Sequence, residues 1–143
     1  MASREPRPAS ITIRRRIEWS DTDAAGIYHW SAALRLAESA EAALHTALGF
    51  ADRTFGVTPR LHISCDFSAP LRFNDLVDVV LEVTEVGRTS EEHRVTLRHN
   101  GREIATARIV TCHVDRESGR PTPWPDDIRE LLTTAGPQTE AGD

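Results

Sequence analysis

The groups in this 143-residue chain best suited to acid–base or acyl-transfer chemistry lie close together, from Asp21 to Trp30. Asp21 and Asp23 are carboxylates two positions apart, so an extended backbone sends both to one side, where repulsion raises the pKa of one of them. Gly26 can take positive φ and turn the chain sharply. His29 has an ordinary pKa of about 6.5 and can give or take a proton. Trp30 opens an Ala-rich helical stretch, and the first N–H groups of a helix lack intrahelical acceptors, so they suit an oxygen that gains negative charge. A carboxylate beside such donors can activate water for attack on a carbonyl, contributing ~10²–10⁴-fold, or can attack it directly. The plainer account of the same residues is structural. A short acid before a helix caps it, Asp21 closes an Asx-type turn, and His29 is a satisfied side chain at a helix start. The residues alone leave both accounts open.

Several chemistries are excluded or disfavoured. All 17 basic residues are Arg, which rules out a lysine base or Schiff base. There is no G-x-S-x-G elbow, phosphate-binding loop or dinucleotide fingerprint. Cys65 and Cys112 lie in apolar strand-like runs and read as buried thiols. His45, His93 and His99 have no ligand-like spacing, nor has His113, so no metal and no cofactor are expected. A net charge of −5 argues against a nucleic-acid partner, and the run Arg14-Arg15-Arg16 falls on a strand that separates its members. No apolar run approaches the ~20 residues of a membrane span. The expected setting is cytoplasmic.

The elements around the junction follow from periodicity. Apolar Ile11, Ile13, Ile17 and Trp19 alternate as in a half-buried strand. Residues 30–48 read as a helix with Leu34, Ala37, Glu41, Leu44 and Leu48 on one stripe, widened by Ala33, Ala40 and Ala47. Ser31 is the expected N-cap, and Gly49-Phe50 fits a left-handed C-cap. After a loop over 51–59, period two takes over: Leu61, Ile63, Cys65 and Phe67 alternate with His62, Ser64 and Asp66. Strands are expected over 76–86, 92–99 and 102–114, the last two joined by an Asn100-Gly101 hairpin turn. Asp126 caps a short helix. The expectation is an α+β domain over 11–134, with four strands in a meander, flanked by a flexible N-terminus over 1–10 and a flexible tail over 135–143.

That order of elements, with Ser20-Asp21-Thr22-Asp23-Ala24-Ala25-Gly26-Ile27 at the junction, resembles the hotdog-fold acyl-CoA thioesterases, and in particular the 4-hydroxybenzoyl-CoA thioesterase family with its D-x-D-x-x-G-[IV] signature. Residues 69–75 look like that family's loop before its third strand. The resemblance implies an antiparallel sheet wrapped around one long helix, and a homodimer or homotetramer with active sites at the dimer interface. It implies hydrolysis of an acyl-CoA or acyl carrier protein thioester to the free acid. Asp23 falls where the family has its reactive carboxylate, and the oxyanion-binding amide falls near Trp30. His62 and Ser64 would then approach the partner's site, with Asp21, Gly26 and Ala33 beside the substrate. His29 and Trp30 depart from the family's usual residues, and Ala33 stands where Tyr is common, which implies room for a bulky acyl group. The rival functions are a non-catalytic acyl- or aromatic-ligand binding module and a hydratase or dehydratase built on an Asp–His pair. Arg60, Arg72, Arg88 and Arg94 are the candidate partners for coenzyme A phosphates or an acidic carrier protein.

Overall fold

The computed structural model describes residues 5–140. Six strands form one sheet: β1 (Arg7–Arg16), β2 (Arg60–Phe67), β3 (Leu76–Val86), β4 (Ser90–His99), β5 (Arg102–Cys112) and β6 (Ala135–Thr139). Three helices accompany them: α1 (Trp30–Ala47), α2 (Ala51–Thr54) and α3 (Asp126–Thr134). The spatial order is β2-β5-β4-β3-β1-β6, antiparallel throughout except for the parallel pair β1 and β6.

Helix α1 forms where the Ala-rich stripe predicts. Ala33, Leu36, Ala37, Ala40 and Leu44 are buried, and Leu34 and Leu48, expected on that stripe, are only half-buried. The end of the helix is as expected. Gly49 takes φ +86°, its N–H bonds Thr46 O, and the Phe50 N–H bonds His45 O, with Phe50 fully buried beyond. The helix lies on the sheet face formed by Ile11, Ile13, Val77, Val79, Leu81, Val95 and Leu97, and α3 adds Ile128 and Leu132 to the same core. Burial of each such side chain is worth about 1.5–3 kcal/mol. The opposite face carries Thr12, Glu82, Arg94 and Arg108.

Four expectations are corrected. The N-terminal strand begins at Arg7, and Trp19, expected on its buried face, is 76% exposed in a short 3₁₀ turn, Trp19–Asp21. The stretch after α3 is strand β6, held beside β1 and pinned by an Arg15–Glu140 ion pair of 2.5 Å. Only β3, β4 and β5 form a meander; β2 pairs with β5 at the far edge, so the chain crosses the sheet to begin β3. Part of the loop at 51–59 is the single-turn helix α2. Residues 1–4 and 141–143, expected to be flexible, lie outside the described residues.

Candidate active site

Between β1 and α1 the chain folds back on itself. The Asp23 N–H donates to Ile27 O at 2.9 Å, the Gly26 N–H to Asp23 O at 3.0 Å, and the His29 N–H to Asp21 O at 2.6 Å. Gly26 sits at φ +81° with nothing within 4 Å of where a Cβ would stand, so backbone conformation alone accounts for glycine there. Ile27 bridges to Arg72 and the Tyr28 N–H bonds Leu71 O at 2.8 Å, which fastens the turn to the loop before β3.

The two carboxylates have parted company. Asp21 is 5% exposed. Its Oδ2 accepts the Glu18 N–H at 2.7 Å, and its Oδ1 accepts both Nη2 and Nε of Arg35 at 2.7 and 3.2 Å. Its acceptor capacity is spent on tying the turn to the second turn of α1, a structural role. Asp23 is exposed; its Oδ1 accepts the Ala25 N–H at 2.8 Å, and no cation pairs with it among the described residues. Of the two, Asp23 is the carboxylate available to a substrate.

His29, not Ser31, is the N-cap of α1: its Nδ1 accepts the Ser31 N–H at 3.2 Å and lies 2.8 Å from Ser31 Oγ. That contact needs an unprotonated Nδ1, so the neutral ring carries its proton on Nε2. The ring packs 5.0 Å from that of Trp30, which is 61% exposed. The Trp30 N–H, at the first position of the helix, has no acceptor among the described residues. An open carboxylate and an uncommitted helix-start amide thus flank one turn. Ala33 is 4% exposed, within the core rather than facing the open space expected for it.

Residues 17–132 match the thioesterase-like superfamily. The chain belongs to that family. It is similar to the 1,4-dihydroxy-2-naphthoyl-CoA hydrolase of Synechococcus elongatus, 28% identical over 130 residues, covering 87% of this chain and 96% of the relative. The corresponding hydrolase of Crocosphaera subtropica is 32% identical over 111 residues, covering 73% and 80%. The solved structure of a gentisyl-coenzyme A thioesterase superposes with a TM-score of 0.75 at 26% identity, covering 85% of this chain and 98% of that one. The fold is the hotdog arrangement that the sequence resemblance implies, and the chain is a thioester hydrolase.

Not every expected residue of this thioesterase sits at the turn. His62 and Ser64 are exposed on the outer face of edge strand β2, with Ser64 in register with Arg108. The other face of β2 is also open: Leu61, Ile63 and Phe67 are 65%, 44% and 48% exposed. Cys112 is buried as expected, whereas Cys65 is half-buried. Arg60 is paired with Glu41; the Arg72, Arg88 and Arg94 side chains are exposed, Arg72 beside the turn.

Two partners of the site went unread in the sequence. Arg35 holds Asp21 across 14 positions, a pairing no short motif announces. Tyr28, directly after the motif, is buried with its hydroxyl unpartnered among the described residues, and burial, with Cys65 nearby, pushes its pKa up to about 12. Replacing Arg35 with Ala strands the buried Asp21 carboxylate and is expected to cost about 1–3 kcal/mol by urea denaturation, with a lower kcat as the turn loosens.

Proposed function

We propose that the protein hydrolyses an aryl thioester of coenzyme A, with Asp23 as general base or nucleophile and the first amides of α1, Trp30 foremost, binding the developing oxyanion. The observation that carries this is the exposed, unpaired Asp23 on the turn that leads into a helix start whose Trp30 N–H lacks an acceptor. The named activities of the relatives, on dihydroxynaphthoyl- and gentisyl-CoA, support an aromatic acyl group. His29, bonded at Nδ1 to the Ser31 amide, shapes the helix start and keeps Nε2 free. Asp21 and Gly26 hold the turn in position.

A second copy of the chain covers the open inner face of β2, burying Leu61, Ile63 and Phe67 and extending the sheet through its unpaired edge. In that homodimer, or a tetramer built from it, His62 and Ser64 stand beside the partner's site. Among the described residues no helix is long and apolar enough to cross a membrane, and the setting proposed is cytoplasmic.

Free-thiol release across short, long, branched and aromatic acyl-CoAs and an acyl carrier protein thioester tests the proposal. Aromatic CoA thioesters are expected to give the highest kcat/KM. Ligand binding without thiol release from any of them would make the protein a binding module, and preference for the carrier protein would reassign the substrate.

A further inference from the structure

Two buried side-chain polar atoms lack a hydrogen-bond partner among the described residues: His93 Nε2 and Tyr28 Oη. The first belongs to a ring already bonded through Nδ1 to Glu91 within a charged network. The second has no such setting. Tyr28 is 6% exposed, so its hydroxyl has given up water with nothing to offset the loss.

Its position is well determined. The backbone is fixed by the bond to Leu71 and the bridge to Thr22, and the ring packs 6.1 Å from that of Phe67 on β2, with Cys65 nearby. Phe67 is 48% exposed and Cys65 half-buried, so this is the open margin of the core rather than its closed centre. Tyr28 also shares the core cluster with Ala32 and Ala33 in the first turn of α1. The orphaned hydroxyl therefore lies within the turn that carries Asp23, facing the apolar side of the edge strand.

We propose that the Tyr28 hydroxyl determines acyl specificity by hydrogen-bonding a ring hydroxyl of an aryl group that enters between the start of α1 and the inner face of β2, displacing the Phe67 ring. This rests on the thioesterase reading above. An aryl ring packs on Phe67 and the Ala side chains, while its hydroxyl, stripped of water, needs one partner in an apolar setting. Tyr28 can serve as donor or acceptor. An acyl group lacking the hydroxyl leaves Tyr28 Oη as unpaired as it is in the free protein, so the preference equals the gain of this one bond.

The test compares wild type and Tyr28→Phe on benzoyl-CoA and its ortho-, meta- and para-hydroxy derivatives. The ratio of kcat/KM for the best hydroxylated substrate to that for benzoyl-CoA is expected to fall roughly 3–10-fold in Tyr28→Phe, the range for one net hydrogen bond. The ligand-free thermal midpoint of Tyr28→Phe should be unchanged or raised, because no bond is lost. An unchanged ratio between hydroxylated and plain substrates overturns the assignment while leaving thioester hydrolysis intact. So does a lowered midpoint, which would show the hydroxyl already bonded without substrate. Absence of thiol release from all four by wild type removes the thioesterase reading and this inference together.

Discussion

Asp23→Asn is expected to lower kcat at least ~10²-fold on any thioester the wild type cleaves, with little change in stability. The substitution separates charge from shape. Asn keeps an oxygen able to accept the Ala25 N–H at the 2.8 Å contact that forms the local turn, so the path of the chain from Asp23 to Ile27 survives. It loses the negative charge that either takes a proton from water or forms the bond to the acyl carbon. Because Asp23 is exposed and no cation pairs with it among the described residues, removing its charge strands no partner. Asp21→Asn provides the contrast. There the lost charge is itself buried and faces the half-exposed Arg35 at 2.7 Å, so the expected result is lower stability along with any change in rate. Steady-state kinetics and urea denaturation on both variants separate the roles. A kcat for Asp23→Asn within threefold or so of wild type would remove Asp23 from the chemistry, since one effective acid–base group supplies far more than that.

The contrast also shows what the local sequence can and cannot carry. The junction was legible because its signals are local: paired Asp residues, a Gly at a positive-φ position, and an Ala-rich stripe ending at Gly49-Phe50. The Asn100-Gly101 turn is as local, and both residues take positive φ. What separates Asp21 from Asp23 is Arg35, a long-range partner. Ser31 is the expected cap on intrinsic preference, but the His29 imidazole nitrogen reaches the Ser31 amide two residues after itself and takes that place. Strand alternation identified the two faces of β2 but not its neighbour, since period two says nothing about which strand lies alongside; hence the meander was overextended. Strand β6, with the sequence Ala-Gly-Pro-Gln-Thr, has little strand propensity, and its pairing with β1 comes from tertiary contact and the Arg15–Glu140 pair.

Arg60→Ala is expected to cost about 3–5 kcal/mol, the largest stability loss predicted for a single substitution here. Glu41 falls on the buried stripe of α1 and is 8% exposed. Arg60, at the start of β2, clasps it with two contacts of 2.5 and 3.0 Å. Beside this pair, Glu91 and His93 on β4 are bonded at 2.6 Å, both nearly fully buried, with Thr111 on β5 near the same carboxylate. The four charged groups alternate in sign and join the helix, the edge strand and the middle of the sheet. Removing Arg60 leaves an unpaired carboxylate in a nearly dry setting, whereas replacing both members, Glu41→Leu with Arg60→Met, removes the charge and its desolvation cost together. The double variant is therefore expected to recover most of the loss. The same network predicts a pH dependence. Burial alone would lower the His93 pKa, but the Glu91 carboxylate overrides it and holds the imidazole above its usual value; burial pushes the Glu91 carboxyl up as well. The folded protein thus binds both protons more tightly than the unfolded chain: the Glu91 share is complete only below its ordinary value of 4.5, and the His93 share is complete below about pH 6.5 and is lost as pH rises through the folded His93 value. Urea midpoints measured upward from pH 6.5 should fall more steeply in wild type than in His93→Gln. Equal slopes would mean that Glu91 and His93 share no extra proton, and an Arg60→Ala loss below about 1 kcal/mol would mean that water reaches Glu41.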